Sequence, residues 1–148
     1  MKNRFEIIGS IDKLTLSDFI RFVDASKSKK LEILIFSSGG SGEVALSICD
    51  YMKASGKEFT TIGIGQVESA ASVIFFMGNK RFSYKNTYFM IHKGKLSNNS
   101  IMAGFEHKKR IKLYNEEAQN IIPLPIKKRI QYFSAEELLE MGLIDKII

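Results

Sequence analysis

Residues 63–94 read Gly63-Ile-Gly-Gln-Val-Glu-Ser69-Ala-Ala-Ser-Val-Ile-Phe-Phe-Met-Gly78, then Asn79-Lys-Arg-Phe-Ser-Tyr-Lys-Asn-Thr87, then Tyr88-Phe-Met-Ile-His92-Lys-Gly94. The opening is an apolar, glycine-punctuated run that predicts a strand. From Ala70 the residues are small and apolar, as in a buried helix. A second apolar run ends at His92. A serine between strand and helix is ordinarily an N-cap, and a histidine closing a strand is ordinarily a partly exposed polar residue. The combination has a second use. A serine on a strand-to-helix turn presents its hydroxyl and is helped by the helix N-terminus. A histidine ending a neighbouring strand can serve it as base.

Upstream, Leu31–Phe36 is Leu-Glu-Ile-Leu-Ile-Phe, almost wholly apolar, which predicts a strand covered on both faces as in a parallel sheet. The turn Ser37-Ser38-Gly39-Gly40-Ser41-Gly42 follows. It lacks the Lys-Ser/Thr ending of a phosphate-binding loop and the full Gly-x-Gly-x-x-Gly fingerprint, so nucleotide binding is not expected. A glycine turn has another use, which is to aim backbone N–H groups at an oxyanion. Gly40 tolerates unusual backbone geometry and lets a substrate strand approach closely. Its N–H, paired with that of Ala70, would make an oxyanion hole.

Working outward, Phe5–Ile8 and Phe59–Gly65 read as strands, and Lys80–Ser83 and Tyr88–His92 as short ones. Helices are expected over Ile11–Ala25 with Thr15 or Ser17 as cap, over Glu43–Ser55 stopped by Gly56, and over Ser69–Met77. Leu96–Ser100 reads as a loop. Ile101–Ile122 reads as a long helix with a charged face, broken by Pro123 and Pro125. Ser134 with Glu137 is a capping-box signature for a last short helix, ended by Gly142, before a strand over Leu143–Ile148. Alternating strands and helices without repeat or linker predict one α/β domain over residues 1–148 with a mainly parallel sheet.

Composition narrows the partners. With 148 residues, 45% hydrophobic and 26% charged, the chain has the make-up of a soluble globular protein. The net charge of +6 is spread, its densest clusters being His107-Lys108-Lys109-Arg110 with Lys112, and Lys127-Lys128-Arg129. No nucleic-acid motif accompanies them, so they read as solvated helix faces and no nucleic-acid partner is expected. The single cysteine, Cys49, excludes an intrachain disulfide and reads as a small core residue. Two histidines and one cysteine, widely separated, offer no metal-ligand spacing, and no cofactor is implied. No signal peptide is visible and no apolar stretch is long enough to span a bilayer, which makes a cytoplasmic protein the expectation, with no membrane partner.

Four motifs in order resemble the Clp protease proteolytic subunit (ClpP) family, most of all its phage-type relatives. Ser37-Ser38-Gly39-Gly40 matches the family's Ser-Pro-Gly-Gly turn, and Gly65-Gln66-Val67-Glu68-Ser69 its Gly-x-x-x-Ser motif. Met90-Ile91-His92 matches its Met-Ile-His, and Ser134-Ala135-Glu136-Glu137-Leu138 through Gly142-Leu143-Ile144-Asp145 its C-terminal signature. The resemblance implies the ClpP/crotonase-like fold of repeated β-β-α units. It implies Ser69 as nucleophile, His92 as general base, and the N–H groups of Gly40 and Ala70 as oxyanion hole. It also implies a serine endopeptidase that hydrolyses peptide bonds of peptide or unfolded-protein substrates inside a homo-oligomeric ring.

The departures from the family are as specific. The third triad member is an Asp about four residues before the Ser-Ala motif, and here that position is Ile130; no Asp or Glu occurs between Glu117 and Glu136. Loss of that Asp from a serine protease lowers kcat by about 10⁴-fold. Glu68 replaces a small residue beside the nucleophile, and Ser38 stands for the turn's proline. The segment from His92 to Ser134 is short, so the handle helix region is reduced. The chain starts almost at its first strand, so docking of a Clp-type ATPase is not expected. A second reading is therefore a catalytically inactive ring subunit, structural or regulating an active ClpP-type paralogue. A third is the related crotonase-type fold acting on acyl-coenzyme A thioesters, which needs neither Ser69 nor His92. Asp145, Glu106 and Glu117 remain as acids that a fold could bring to His92.

Overall fold

Leu31–Phe36 alternates as well as being apolar, and the alternation decides what its side chains meet. The structure, a computed structural model, describes residues 3–94 and 105–148, the side chains of 105–107 excepted. In chain order the elements are β1 (Arg4–Ile8), α1 (Lys13–Ala25), β2 (Lys30–Ser37), α2 (Gly42–Ala54), β3 (Glu58–Glu68) and α3 (Ala70–Met77). They continue with β4 (Lys80–Ser83), β5 (Tyr88–Ile91), α4 (Phe105–Ile121), β6 (Gln131–Ser134), α5 (Ala135–Glu140) and β7 (Lys146–Ile147). Strands β1-β2-β3-β4-β7 lie side by side in that order and all are parallel. Strand β5 adds to the far end of β3 in parallel, and β6 pairs antiparallel with β5. This is the expected α/β fold with a mostly parallel, ClpP/crotonase-like sheet.

Strand β3 runs past the expected end at Gly65 because it changes neighbours. Thr60–Gly63 pair with Lys80–Ser83 of β4, and Gln66–Glu68 pair with Tyr88–Met90 of β5. The register against β2 is irregular at the same place. The glycines of the opening stretch therefore mark a switch point between two strands, and Ser69 follows directly after it.

Helices α1 to α4 pack on one another and reach the sheet through α1 on β1 and α3 on β2, β3 and β5. Leu31, Ile33 and Ile35 of β2 face this layer and are fully buried. The outward row of β2 differs from expectation, because no helix of that layer reaches it: Leu34 is half-buried and Phe36 is 39% exposed. Helix α3 is apolar apart from Ser72, and every residue from Ala70 to Phe76 is buried. Phe75 packs against Phe89 of β5, ring centroids 4.9 Å apart and planes tilted by 53°, each such buried ring contributing about 1.5–3 kcal/mol.

Several boundaries correct the sequence reading. Helix α1 is capped by Asp12, not by Thr15 or Ser17. The Asp12 carboxylate accepts from Thr15 N at 3.1 Å and Thr15 Oγ1 accepts from Asp12 N at 3.1 Å. Ile11 is left out of the helix because it bridges to Gly40. Strand β6 was not anticipated, and β7 is two residues long rather than Leu143–Ile148. It is short because Arg81 holds the preceding residues in a turn: its Nε donates to Leu143 O at 2.9 Å and its N to Asp145 Oδ2 at 2.8 Å. Lys127-Lys128-Arg129 is exposed irregular backbone rather than a helix face. The expected loop Leu96–Ser100 and the first residues of the helix expected from Ile101 lie outside the described residues. The capping box of α5, Ser134 with Glu137, forms as expected.

Candidate active site

Ser69 has φ 55° and ψ −123°, and it is the one non-glycine residue with positive φ among the described residues. A side chain in that region costs on the order of 1–3 kcal/mol and persists only where its surroundings hold it. The surroundings are specific. Ser69 N donates to Met90 O at 2.8 Å, extending the β3–β5 ladder by one bond. Ser72 N donates to Ser69 O at 2.9 Å. The Ser72 hydroxyl, fully buried, lies 3.0 Å from both Val67 O and Met90 O, fastening the first turn of α3 to both strands. Ser69 occupies the N-cap position of α3, but bent this way its side chain makes no cap bond to the helix.

The ladder explains where His92 lies. Gln66, Val67 and Glu68 pair with Tyr88, Phe89 and Met90, so two more steps bring His92 level with Ala70, beside the bend. Strand β5 ends at Ile91, one residue earlier than expected, leaving His92 just beyond it. The Nε2 of His92 and the Oγ of Ser69 are 2.8 Å apart, a hydrogen-bond distance, and both residues are partly buried. The neutral ring that accepts the serine proton at Nε2 carries its own proton on Nδ1, and Nδ1 is shielded from solvent.

The first glycine turn packs on this bend. Ser37, fully buried, accepts a hydrogen bond from Gly39 N at its hydroxyl, 3.0 Å. A Cβ on Gly39, φ +101°, would stand 3.0 Å from Glu68 O and from Ser69 Cβ, and 3.2 Å from Ala70 N. A Cβ on Gly40, φ +149°, would stand 2.3 Å from Ile11 O. Only glycine fits either place. Ile11 N donates to Gly39 O, and Ser41 N to Ile11 O, so the N–H of Gly40 faces the opposite side, where Gly40 lines a cavity of about 370 Å³ with Ser69, Ala70 and His92. Ala70 N is the first amide of α3 and has no intrahelical partner. The four residues singled out from sequence thus share one cavity.

Other residues of the cavity were not legible in the sequence. Tyr114 of α4 fills its far side: a Cβ on Gly42 would stand 2.6 Å from its ring and one on Gly94 2.9 Å. Burial pushes the Tyr114 hydroxyl up to about 12. Glu43 at the start of α2 pairs with Arg110 of α4, the Arg110 Nε donating at 2.6 Å. These contacts pin α4 against the glycine turn. The glycines at 42 and 94 were the available signal, since each leaves room for a ring.

Asp145 is taken up by Arg81 N at 2.8 Å, at the β4–β7 end of the sheet. Glu117 is on the exposed side of α4. The Glu106 side chain lies outside the described residues. Glu68 alternates with the inward Val67 and is not among the residues lining the cavity. Cys49 is buried, as expected, with its thiol pushed up to about 12 by burial first and the neighbouring Asp50 second.

A family model described as Clp protease matches residues 11–148. The chain belongs to the Clp protease family. The match takes in the Ser37–Gly42 glycine turn, the Ser69 bend, His92 and the Ser134–Asp145 segment. At family level this Clp protease homologue is a ClpP-like peptidase, a hydrolase of peptide bonds. Proteins of the Clp protease family act on peptide substrates and form oligomeric rings. Among the described residues, no helix is long and apolar enough to cross a membrane.

Proposed function

We propose that this Clp protease family member is a serine endopeptidase that works through a Ser69–His92 pair without the family's third Asp. One observation carries the reading: the 2.8 Å contact between Ser69 Oγ and His92 Nε2, made by a serine held at φ 55°. Ser69 Oγ attacks the scissile carbonyl carbon as its proton passes to His92 Nε2. The oxygen, now anionic, is held by the N–H groups of Gly40 and Ala70. The C–N bond breaks, the leaving amine takes the proton from His92, and an acyl ester remains on Ser69. Water then attacks the ester, giving its proton to Nε2, and the released Ser69 oxygen recovers one. Cleavage of a fluorogenic peptide by the assembled protein, abolished in Ser69→Ala, is the expected result. A rate unchanged in Ser69→Ala overturns the reading.

We infer also that the chain assembles with copies of itself. Ile8, Phe36, Tyr88 and Tyr132 are 61%, 39%, 42% and 61% exposed and share, by strand parity and register, the outward face of the sheet. An apolar face of this kind on a ring-forming family supports burial against a neighbouring copy.

A second reading has one observation in its favour. Ile130 stands where the family carries its Asp, which fits an inactive subunit of a ring or a regulator of an active paralogue. Absence of Ser69-dependent hydrolysis in a well-formed ring is the result this second reading expects.

A further inference from the structure

Resting on the peptidase reading above, we propose that a substrate chain bound at Ser69 continues along α4 in a lysine-lined groove, and that the segment held there is acidic. The catalytic cavity shares Gly94 and Ile111 with a larger groove of about 990 Å³. Lys108, Lys112, Asn115 and Gln119 of α4 line this groove at three- and four-residue steps, one face of the helix. From Lys108 to Asn120 the helix rises about 18 Å, the reach of roughly five residues of extended peptide. Ile111 and Ile126 give apolar footing, and Lys93 and Lys128 stand on the other side.

The charge is one-sided. Among the described residues four lysines line the groove against one acid, Glu116, whose carboxylate is 3.8 Å from Lys112 Nζ. Lys93, Lys108 and Lys128 have no acidic partner among the described residues. Lysines on an open helix face are ordinarily solvated. Here they wall a concave groove that opens beside the nucleophile, and a chain leaving Ser69 has this groove next to it. Among the described residues no aromatic side chain lines the groove, so these residues offer none of the stacking platforms with which proteins hold single-stranded nucleic acid. A peptide carrying glutamates or aspartates fits both its shape and its charge.

The test is equilibrium binding, which does not depend on turnover. Full-chain Ser69→Ala is titrated into a fluorescent peptide bearing a run of glutamates, into the same peptide with glutamines, and into an oligothymidylate of matched charge. The glutamate peptide is expected to bind about tenfold more tightly than the glutamine peptide at low salt, the advantage shrinking as salt is added. Adding Lys108→Gln, Lys112→Gln and Lys128→Gln together is expected to remove the advantage, and Lys128→Gln alone, outside α4, to remove part of it. Adding Lys27→Gln, Lys29→Gln and Lys85→Gln, the same charge loss away from the groove, is expected to keep it. Equal binding of the two peptides overturns the proposal, as does equal loss in both triple variants or tighter binding of the oligothymidylate. Fluorophosphonate labelling of the wild-type chain is run alongside. Absent labelling with the glutamate preference intact counts against the peptidase reading and not against the groove.

Discussion

Ile130 stands one residue before β6, and His92 one residue after β6's partner strand β5. The β5–β6 ladder pairs Met90 with Tyr132 and ends with Ile91 opposite Gln131, and beyond it Lys93 N donates to Lys127 O at 3.3 Å. The position of the family's Asp, read from sequence as Ile130, therefore lies at the same end of this strand pair as His92. Ile130 is 47% exposed, so a polar replacement is expected to change stability by no more than about 0.5 kcal/mol. Ile130→Asp brings a carboxylate to this position. Ser69-dependent hydrolysis is expected to rise by about tenfold or more, within a ceiling of roughly 10⁴. Ile130→Asn, isosteric and uncharged, is expected to gain less. Equal rates for the two variants and the wild type would contradict this account of the site.

The strain at Ser69 predicts a trade of stability for function. Replacing it with alanine leaves a Cβ at φ 55°, whereas glycine relieves it. Ser69→Gly is expected to be more stable than Ser69→Ala by about 1 kcal/mol, a rise in Tm of roughly 2–4 °C for a chain of this size, and both are expected to be inactive. Calorimetry of the two variants checks this. Identical melting temperatures would mean the bend carries no strain.

How much of this was legible in the sequence depended on how local each feature was. The strand-to-helix position of Ser69, the glycine turn, the strand end at His92 and the Ser134–Glu137 box are local in the chain, and the residue types declare them, whereas the bend at Ser69 is held from β5 by Met90 O. The length of β3 was not legible, because its continuation to Glu68 depends on a change of partner from β4 to β5. Strand β6 escaped for a similar reason. Gln131–Ser134 is a four-residue run whose partner among the described residues, β5, begins 43 residues earlier in the chain. Tyr114 had only an indirect signal in the sequence, the room that glycine leaves at 42 and 94. It is one aromatic on a helix, and its role comes from two glycines, Gly42 and Gly94, that the fold brings to it. Ser72 was hidden among apolar neighbours, although a serine inside a buried helix signals a hydroxyl with a backbone partner.

Alkaline pH is expected to weaken the fold through two groups that burial shifts, Cys49 and Tyr114. Cys49 rises from 9.0 to about 12 on folding and Tyr114 from 10.0 to about 12, in both cases mainly through burial. The folded state holds these protons more tightly than the unfolded chain. Their contribution to stability is whole below pH 9 and is lost as pH rises from there through about 12. Thermal melts across that window are expected to fall, with a shallower slope in Cys49→Ala. A slope unaffected by the substitution would remove Cys49 as a cause.

The outward apolar face predicts an effect on assembly that leaves the fold alone. Tyr132 is 61% exposed and its ring lies 6.3 Å from that of Tyr88. Tyr132→Glu is expected to shift the protein toward smaller species in light scattering while its circular dichroism stays unchanged. An unaltered mass would exclude this face from the contact between copies.

The most direct measurement is active-site labelling with a fluorophosphonate probe, on the wild type and on Ser69→Ala, with the oligomeric state determined on the same sample. The account predicts labelling of the wild type that is lost in Ser69→Ala. A well-formed ring in which Ser69 does not label, beside a serine peptidase that does, would contradict it.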